Sequence, residues 1–316
     1  MNSSTQRPAT LLMRRLAGTL KRHLIGAAAG DAVGVHQARV TSRRLREAIP
    51  VLSTGLRGSK AGKAARKVRR LTRALGTVRE LDVTLSLLEA LSATPDVSRT
   101  AVEEVRATVA GEREARRAVM LKRLEAVDHD KLGRRLASVS AALEQATTEP
   151  WRKALGSRLL ERSRALTTAM DAAGHMYAPE RLHEVRIAAK KLRYGLELAF
   201  DAGVKAAAPH LRTIKGTQEL LGTLHDLQVL QTHIAATQIG AASARPEARA
   251  GLDALAAHVE AQCRHLHGKY LSAGPKLREV PAVVRKAIVP QLAVRRIRTA
   301  KMTLARHAAA ASRSSR

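Results

Sequence analysis

Fifteen residues near the start of the chain, VHQARVTSRRLREAI (35–49), are echoed by LHEVRIAAKKLRYGL (182–196), and this echo constrains the fold more than any other feature. His36 aligns with His183 at a shift of 147 residues; Arg39 then meets Arg186, Arg43 meets Lys190, Arg44 meets Lys191 and Arg46 meets Arg193. The segment LGTVRELDV (75–83) returns as LGTLHDLQV (221–229) at a shift of 146, and Arg117 and Lys122 return as Arg264 and Lys269 at 147. Segments that keep one offset imply a duplicated unit. The expected organisation is a single domain over 8–300, made of an N-terminal half (8–148) and a C-terminal half (151–300) that meet near Pro150, with a helix end and basic tail at 301–316.

Both halves read as helix. Ala, Leu, Arg and Glu dominate, β-branched alternation is scarce, and Pro or Gly separates the periodic blocks. Breaks are expected at Gly26–Asp31, Ser53–Ser59, Thr94–Asp96, Thr147–Pro150, Gly174–Pro179, Asp201–Ala208, Gly240–Pro246, Ala273–Pro275 and Val289–Pro290. Asp31 is placed to cap the first motif helix and Pro179 suits the first turn of its counterpart. Pro50 is expected to end or bend the first motif helix, whereas the second can run on through Phe200. The basic N-terminal stretch (11–30) has apolar residues at helical spacing interrupted by Arg14, Arg15, Lys21, Arg22 and His23. It reads as the first domain helix, since a signal peptide keeps its apolar stretch free of charge. At the other end, Val294, Ile297, Met302 and Leu304 describe a final helix packed on the second half, and SRSSR reads as disordered.

A helix turns by about 100° per residue, so His36, Arg39, Arg43 and Arg46 fall within about 80° of one face. Ala38, Leu45, Ile49 and Leu52 lie opposite. The second copy obeys the same wheel: His183, Arg186, Lys190 and Arg193 on one stripe, Val185, Leu192, Leu196 and Ala199 opposite. A solvated face usually mixes both signs. These rows place like charges at i+3 and i+4, which repel by about 0.2–0.5 kcal/mol per pair unless an anion sits between them. The next stretch, KAARKVRRLTRALG (63–76), adds Lys63, Arg66, Lys67, Arg69, Arg70 and Arg73. Its counterpart, PHLRTIKGTQELLG (209–222), keeps Arg212 and Lys215 but has Glu219 opposite Arg73, so the second half is less basic there. Each histidine heads its row and can donate to a phosphate, whose charge would raise its pKa.

Composition points the same way. Lys and Arg number 56 against 27 Asp and Glu in 316 residues, a formal charge of +29. Such an excess attracts polyanions: nucleic acid, anionic membrane or a phosphate polymer. Aromatics are few, with one Trp, three Tyr and one Phe, which argues against modules that stack single-stranded bases. Phosphate binding needs no such rings. Cys263 is the only cysteine, so no intrachain disulfide and no cysteine-cluster metal site can form; a reducing cytoplasm fits. No run of 18 apolar residues suggests a membrane span.

The two rows, Tyr194 beside the second, and the LGT segments leading into Glu80–Asp82 and Asp226 resemble the CHAD family, the conserved-histidine α-helical domain. The resemblance extends over about residues 8–300. It implies an all-α fold of two pseudo-twofold-related helical bundles around a basic groove or channel that binds inorganic polyphosphate, in a stand-alone member tied to polyphosphate granules. The chain departs from the pattern where Gln228 stands opposite Asp82 and His225 opposite Arg79. Polyphosphate carries about one negative charge per phosphate and no bases; arginine's fork suits its oxygens and lysine adds a mobile charge.

The expected binding set is His36, Arg39, Arg43, Arg44 and Arg46; Lys63, Arg66, Arg69, Arg70 and Arg73; Arg117 and Lys122; and, in the second half, His183, Arg186, Lys190, Lys191, Arg193, Tyr194, Arg212, Lys215, Arg264 and Lys269. No catalysis, cofactor, metal or membrane insertion is expected. Weak nucleic-acid binding at low salt is expected of any chain this basic. One alternative is a nucleic-acid-binding basic helical protein. Another is a metal-dependent phosphohydrolase built on the doublet His225–Asp226; that doublet aligns with Arg79–Glu80, and Glu80, Asp82 and Asp226 read better as partners of arginines or helix-start residues.

Overall fold

The first motif helix begins where its capping residue stands. In the computed structural model, which describes residues 8–58, 60–240 and 246–293, the Asp31 carboxylate accepts hydrogen bonds from the backbone N–H groups of Val33 and Gly34 at 3.3 and 2.6 Å. Those donors have no partner inside the helix they start. Helices α1 (Pro8–Ala28) and α2 (Ala32–Leu52) cross closely on either side of this cap. Gly34 permits the crossing: a Cβ there would stand 2.6 Å from the backbone nitrogen of Ala27.

The remaining described elements are also helical: α3 (Ala61–Ala74), α4 (Gly76–Ser92), α5 (Arg99–Glu125), α6 (His129–Gln145), α7 (Trp151–Ala173), α8 (Pro179–Asp201), α9 (Ala207–Gly240) and α10 (Pro246–Val283). A π turn, Val284–Ile288, follows α10 directly, and helical residues continue to 293. The fold is all-α, as expected, with no strand among the described residues. No helix among them is long and apolar enough to cross a membrane.

The expected breaks from Gly26 to Ala208 fall at helix junctions, and the one at Gly240–Pro246 lies largely outside the described residues. Pro179 occupies the first turn of α8. Pro50 does not stop α2 at once; the helix ends two residues later at Leu52. Two expectations fail. α10 carries Pro275 within it, and neither Ala273–Pro275 nor Val289–Pro290 is a break. The reason is tertiary burial. Leu277, Val280, Val284, Ile288 and Leu292 form a continuous buried stripe, each side chain contributing about 1.5–3 kcal/mol. Together they outweigh a cost of about 3 kcal/mol per interior proline. Both Pro275 and Pro290 sit on the exposed side.

Two breaks were not anticipated: Leu75 separates α3 from α4, and Ala126–Asp128 separates α5 from α6. Neither has a counterpart in the second half, where α9 runs unbroken through Leu221 and α10 through Ala273. The apolar contacts also cut across the halves. One core gathers residues of α1–α3 and α6–α8 with the start of α4, the end of α5, the first part of α9 and the last part of α10, including Leu45, Leu71, Leu159, Leu192 and Leu277. A second joins Leu81 and Leu88 of α4 and Val102 and Val105 of α5 to Leu227 of α9 and Leu255 of α10. The expected final helix at Val294–Leu304 and the tail at 301–316 lie outside the described residues.

Candidate functional site

α2 and α8 bury one side each, through Ala38, Leu45 and Ile49 and through Val185, Leu192 and Leu196. That burial turns the two histidine rows toward a common space. A cavity of about 470 Å³ opens there, lined by Arg39, Arg43, Arg46 and Glu47 of α2, Thr72 and Arg73 of α3, Gly76 and Glu80 of α4, Arg116 of α5, and Ile187, Lys190, Lys191 and Tyr194 of α8.

Arg39 reaches across to the α3–α4 junction, its Nη1 3.5 Å from the Leu75 carbonyl oxygen. Gly76 makes the room: a Cβ at that position would stand 2.6 Å from the same nitrogen. Burial and then the neighbouring Arg43 pull the Arg39 pKa down to about 10, with Glu80 opposing. Lys190 is pushed further, to about 7, by burial first and then by Arg43, Arg186, Arg39 and Arg46. Burial also lowers Arg186, with Asp226 opposing and Arg43 reinforcing. These shifts record burial first, and then cations from both rows held close to one another.

The histidines border this crowd. His36 is held below its ordinary value by burial, then by Arg79, Arg39 and Arg43. His183 is lowered by burial, Arg186 and Lys190, and its Nδ1 lies 3.2 Å from the Nδ1 of His225. His225 is lowered to about 4 by burial, Arg186 and His183, so this pair is neutral near pH 7 and one ring donates to the other. Burial raises Asp226, against the pull of Arg186 and Arg79.

Other expected residues have different company. Arg44 pairs with Glu197 at 3.3 Å, and Arg193 stands 3.8 Å from the same carboxylate and 5.0 Å over the Tyr194 ring. Arg264 pairs with Glu260 on its own helix at 2.6 Å. Arg117 lies against Gly30 in the α1–α2 turn, a glycine at φ +78° whose missing side chain leaves the space the guanidinium fills. Lys63, Arg66, Arg69 and Arg70 form an exposed ridge on α3, a helix with no acidic residue. Arg212 and Lys215 on α9, Lys122 on α5 and Lys269 on α10 are exposed and outside the cavity lining.

The cavity therefore brings together Arg39, Arg43, Arg46, Arg73, Lys190, Lys191 and Tyr194 of the expected set. It adds Thr72 and Arg116, which the repeat could not flag. Arg116 falls one residue before the matched Arg117, and the position 147 residues on is the buried Cys263. Glu47 also lines the cavity but is occupied by Arg162, which donates to it and to the Lys191 carbonyl oxygen, at 2.7 Å for the latter. Asp82 is an arginine's partner, 2.7 Å from Arg113. Its counterpart Gln228 donates instead to the Tyr177 hydroxyl at 3.2 Å. Among the described residues no group of three or more His, Cys, Asp or Glu is arranged to hold a metal ion.

Chemically, the cavity offers guanidinium and ammonium donors to several anionic oxygens at once and has no aromatic platform beyond Tyr194. The sequence model of the CHAD domain matches residues 12–235. The crystal structure of the CHAD domain from the plant Ricinus communis is similar over 82% of this chain and 90% of that one, with a TM-score of 0.56 and 24% identity, a likeness of fold. No curated protein matches the chain significantly.

Proposed function

The chain belongs to the CHAD domain family, and from that premise we propose that it binds inorganic polyphosphate without transforming it. The two halves are copies of one ancestral unit, and their histidine rows form opposite walls of a basic groove. The observation that carries this reading is the convergence of Arg39, Arg43 and Arg46 with Lys190 and Lys191 on one cavity. Burial first, and then the repulsion of Arg43, Arg186, Arg39 and Arg46, hold Lys190 at about 7. A polyanion relieves that repulsion, and its phosphates need many donors and no bases to read. The α3 ridge and the exposed cations of α9 extend the wall. In the cell the protein sits in the cytoplasm on polyphosphate granules.

The test is binding of long-chain polyphosphate at physiological salt with double-stranded DNA as competitor. Tight binding that survives DNA at equal phosphate concentration is expected. Displacement by DNA at that ratio would reduce the site to a general cationic surface and put the nucleic-acid reading first. Affinity should also fall steeply with salt, as counterion release requires.

A further inference from the structure

Lys190 differs from the arginines of the cavity in being able to lose its proton and act as a nucleophile, and from Lys191 in being half-buried. It is half-buried on α8, with Arg39, Arg43 and Arg46 of α2 and Arg186 of its own helix as the charges acting on it. Two carboxylates share the cavity wall, Glu47 and Glu80. Glu47 is taken by Arg162, and after burial the groups acting on the lysine's charge are the four arginines. A lysine beside other cations in a desolvated site is an activated amine. The same arginines are donors for phosphoryl oxygens. A small reagent that joins an electrophilic carbon to a phosphate would be docked by its phosphate and presented to this amine.

We propose that Lys190 is a site of acylation by acyl phosphates. The proposal rests on the cavity being a phosphate-recognising site, as argued above. In the step, the neutral Nζ attacks the carbonyl carbon of the acyl phosphate, a C–N bond forms and the C–O bond to phosphate breaks. The phosphate departs as hydrogen phosphate, carrying the proton lost by the amine, and no electron transfer is involved. The product is an amide without charge, so one cation leaves the wall on which both rows converge.

The burial and arginines around Lys190 hold its pKa at about 7, against 10.5 for an ordinary lysine. At about pH 8 most of its amine is then neutral, whereas under about 1% of an unperturbed lysine is. Lys191 is the internal reference: it borders the same cavity but is exposed. The full chain is incubated with acetyl phosphate and acetylation followed at each lysine by mass spectrometry. Lys190 is expected to react at least about tenfold faster than Lys191, because the half-buried amine among the arginines is the activated one. Inorganic tripolyphosphate should slow Lys190 selectively, and Lys190→Arg should remove the fast component. Equal rates at the two lysines, or a fast Lys190 that tripolyphosphate fails to protect, would overturn the proposal. Polyphosphate binding by the unreacted chain is measured alongside. Intact binding with equal rates defeats acylation alone; absent binding with fast, protected acylation defeats the polymer reading alone.

Discussion

The histidine rows of α2 and α8 occupy matching sequence positions and differ in how their charge is held. In α2 the row is His36 followed by three arginines, of which Arg39, the most perturbed, stays near 10 and so remains charged at neutral pH. In α8 the row is His183, Arg186, Lys190 and Arg193. Lys190 sits near 7, and Arg193 shares the Glu197 carboxylate with Arg44. The contacts behind the rows differ likewise. Arg79 stands by His36, while the equivalent His225 lies against His183 and is neutral. On the α2 side of the cavity the arginines therefore carry fixed charge, and on the α8 side Lys190 carries charge that depends on pH. The two rows repeat one pattern at matching sequence positions, and differences at a few positions give them different electrostatic behaviour.

The largest expected effect separates the walls directly. Arg39→Ala with Arg43→Ala should weaken polyphosphate binding about 100-fold or more at neutral pH, since each charge-assisted hydrogen bond contributes about 1.5–3 kcal/mol. Arg186→Ala with Lys190→Ala should weaken it less, about tenfold, because Lys190 is only partly charged before the ligand arrives. Titration with polyphosphate checks the order, and far-UV circular dichroism checks that the helices persist. Equal losses would erase the distinction between a fixed and a conditional wall. Lost helicity in the first double variant would make the α2 row structural instead.

A second effect follows from the sign of the Lys190 shift. Its folded pKa lies below its unfolded value, so between about 7 and 10.5 the unfolded chain holds the extra proton. The free protein's stability should therefore rise with pH across that window, and the penalty of the buried charge is fully present below it. Binding runs the other way. Bound phosphate favours the charged amine, so affinity should fall as pH rises through about 7, by up to about tenfold per pH unit for the one proton taken up. Calorimetry in buffers of different ionisation enthalpy reads that proton. Lys190→Arg should flatten both trends, and an unchanged pH profile in that variant would place the titrating group elsewhere.

The sequence disclosed both rows because their spacing matches a helix and their residues recur at one offset; α2 and α8 bear this out with Asp31 and Pro179 at their starts. It did not disclose the company each cation keeps. Glu197 lies far along the chain from Arg44, and nothing local marks it as a partner. Arg116 escaped because its counterpart is Cys263, so a search guided by the repeat finds its neighbour Arg117, which turns to Gly30. The unbroken α10 was missed because prolines are local signals, whereas the buried stripe from Leu277 to Leu292 acts through tertiary contact. The break at Leu75 was missed for the opposite reason. The same Leu-Gly-Thr triplet occurs in α9 with no break, so the triplet alone does not decide; yet only at Leu75 does an arginine from another helix use the freed carbonyl.

The smallest effect tests the histidines themselves. His36 has no ring partner among the described contacts and lies between Arg79, Arg39 and Arg43, so its imidazole is free to donate to a phosphate. His183 has already committed Nδ1 to His225 and keeps only Nε2. His36→Ala should cost about threefold in affinity, within the range of one ordinary hydrogen bond, and His183→Ala the same or less. Reversal of that order would mean that the imidazole pair opens when polymer binds, releasing Nδ1 of His183 to a phosphate. The conditional wall would then have two proton-linked members. Lys190→Arg would leave part of the pH dependence in place, and His225→Ala would remove the rest.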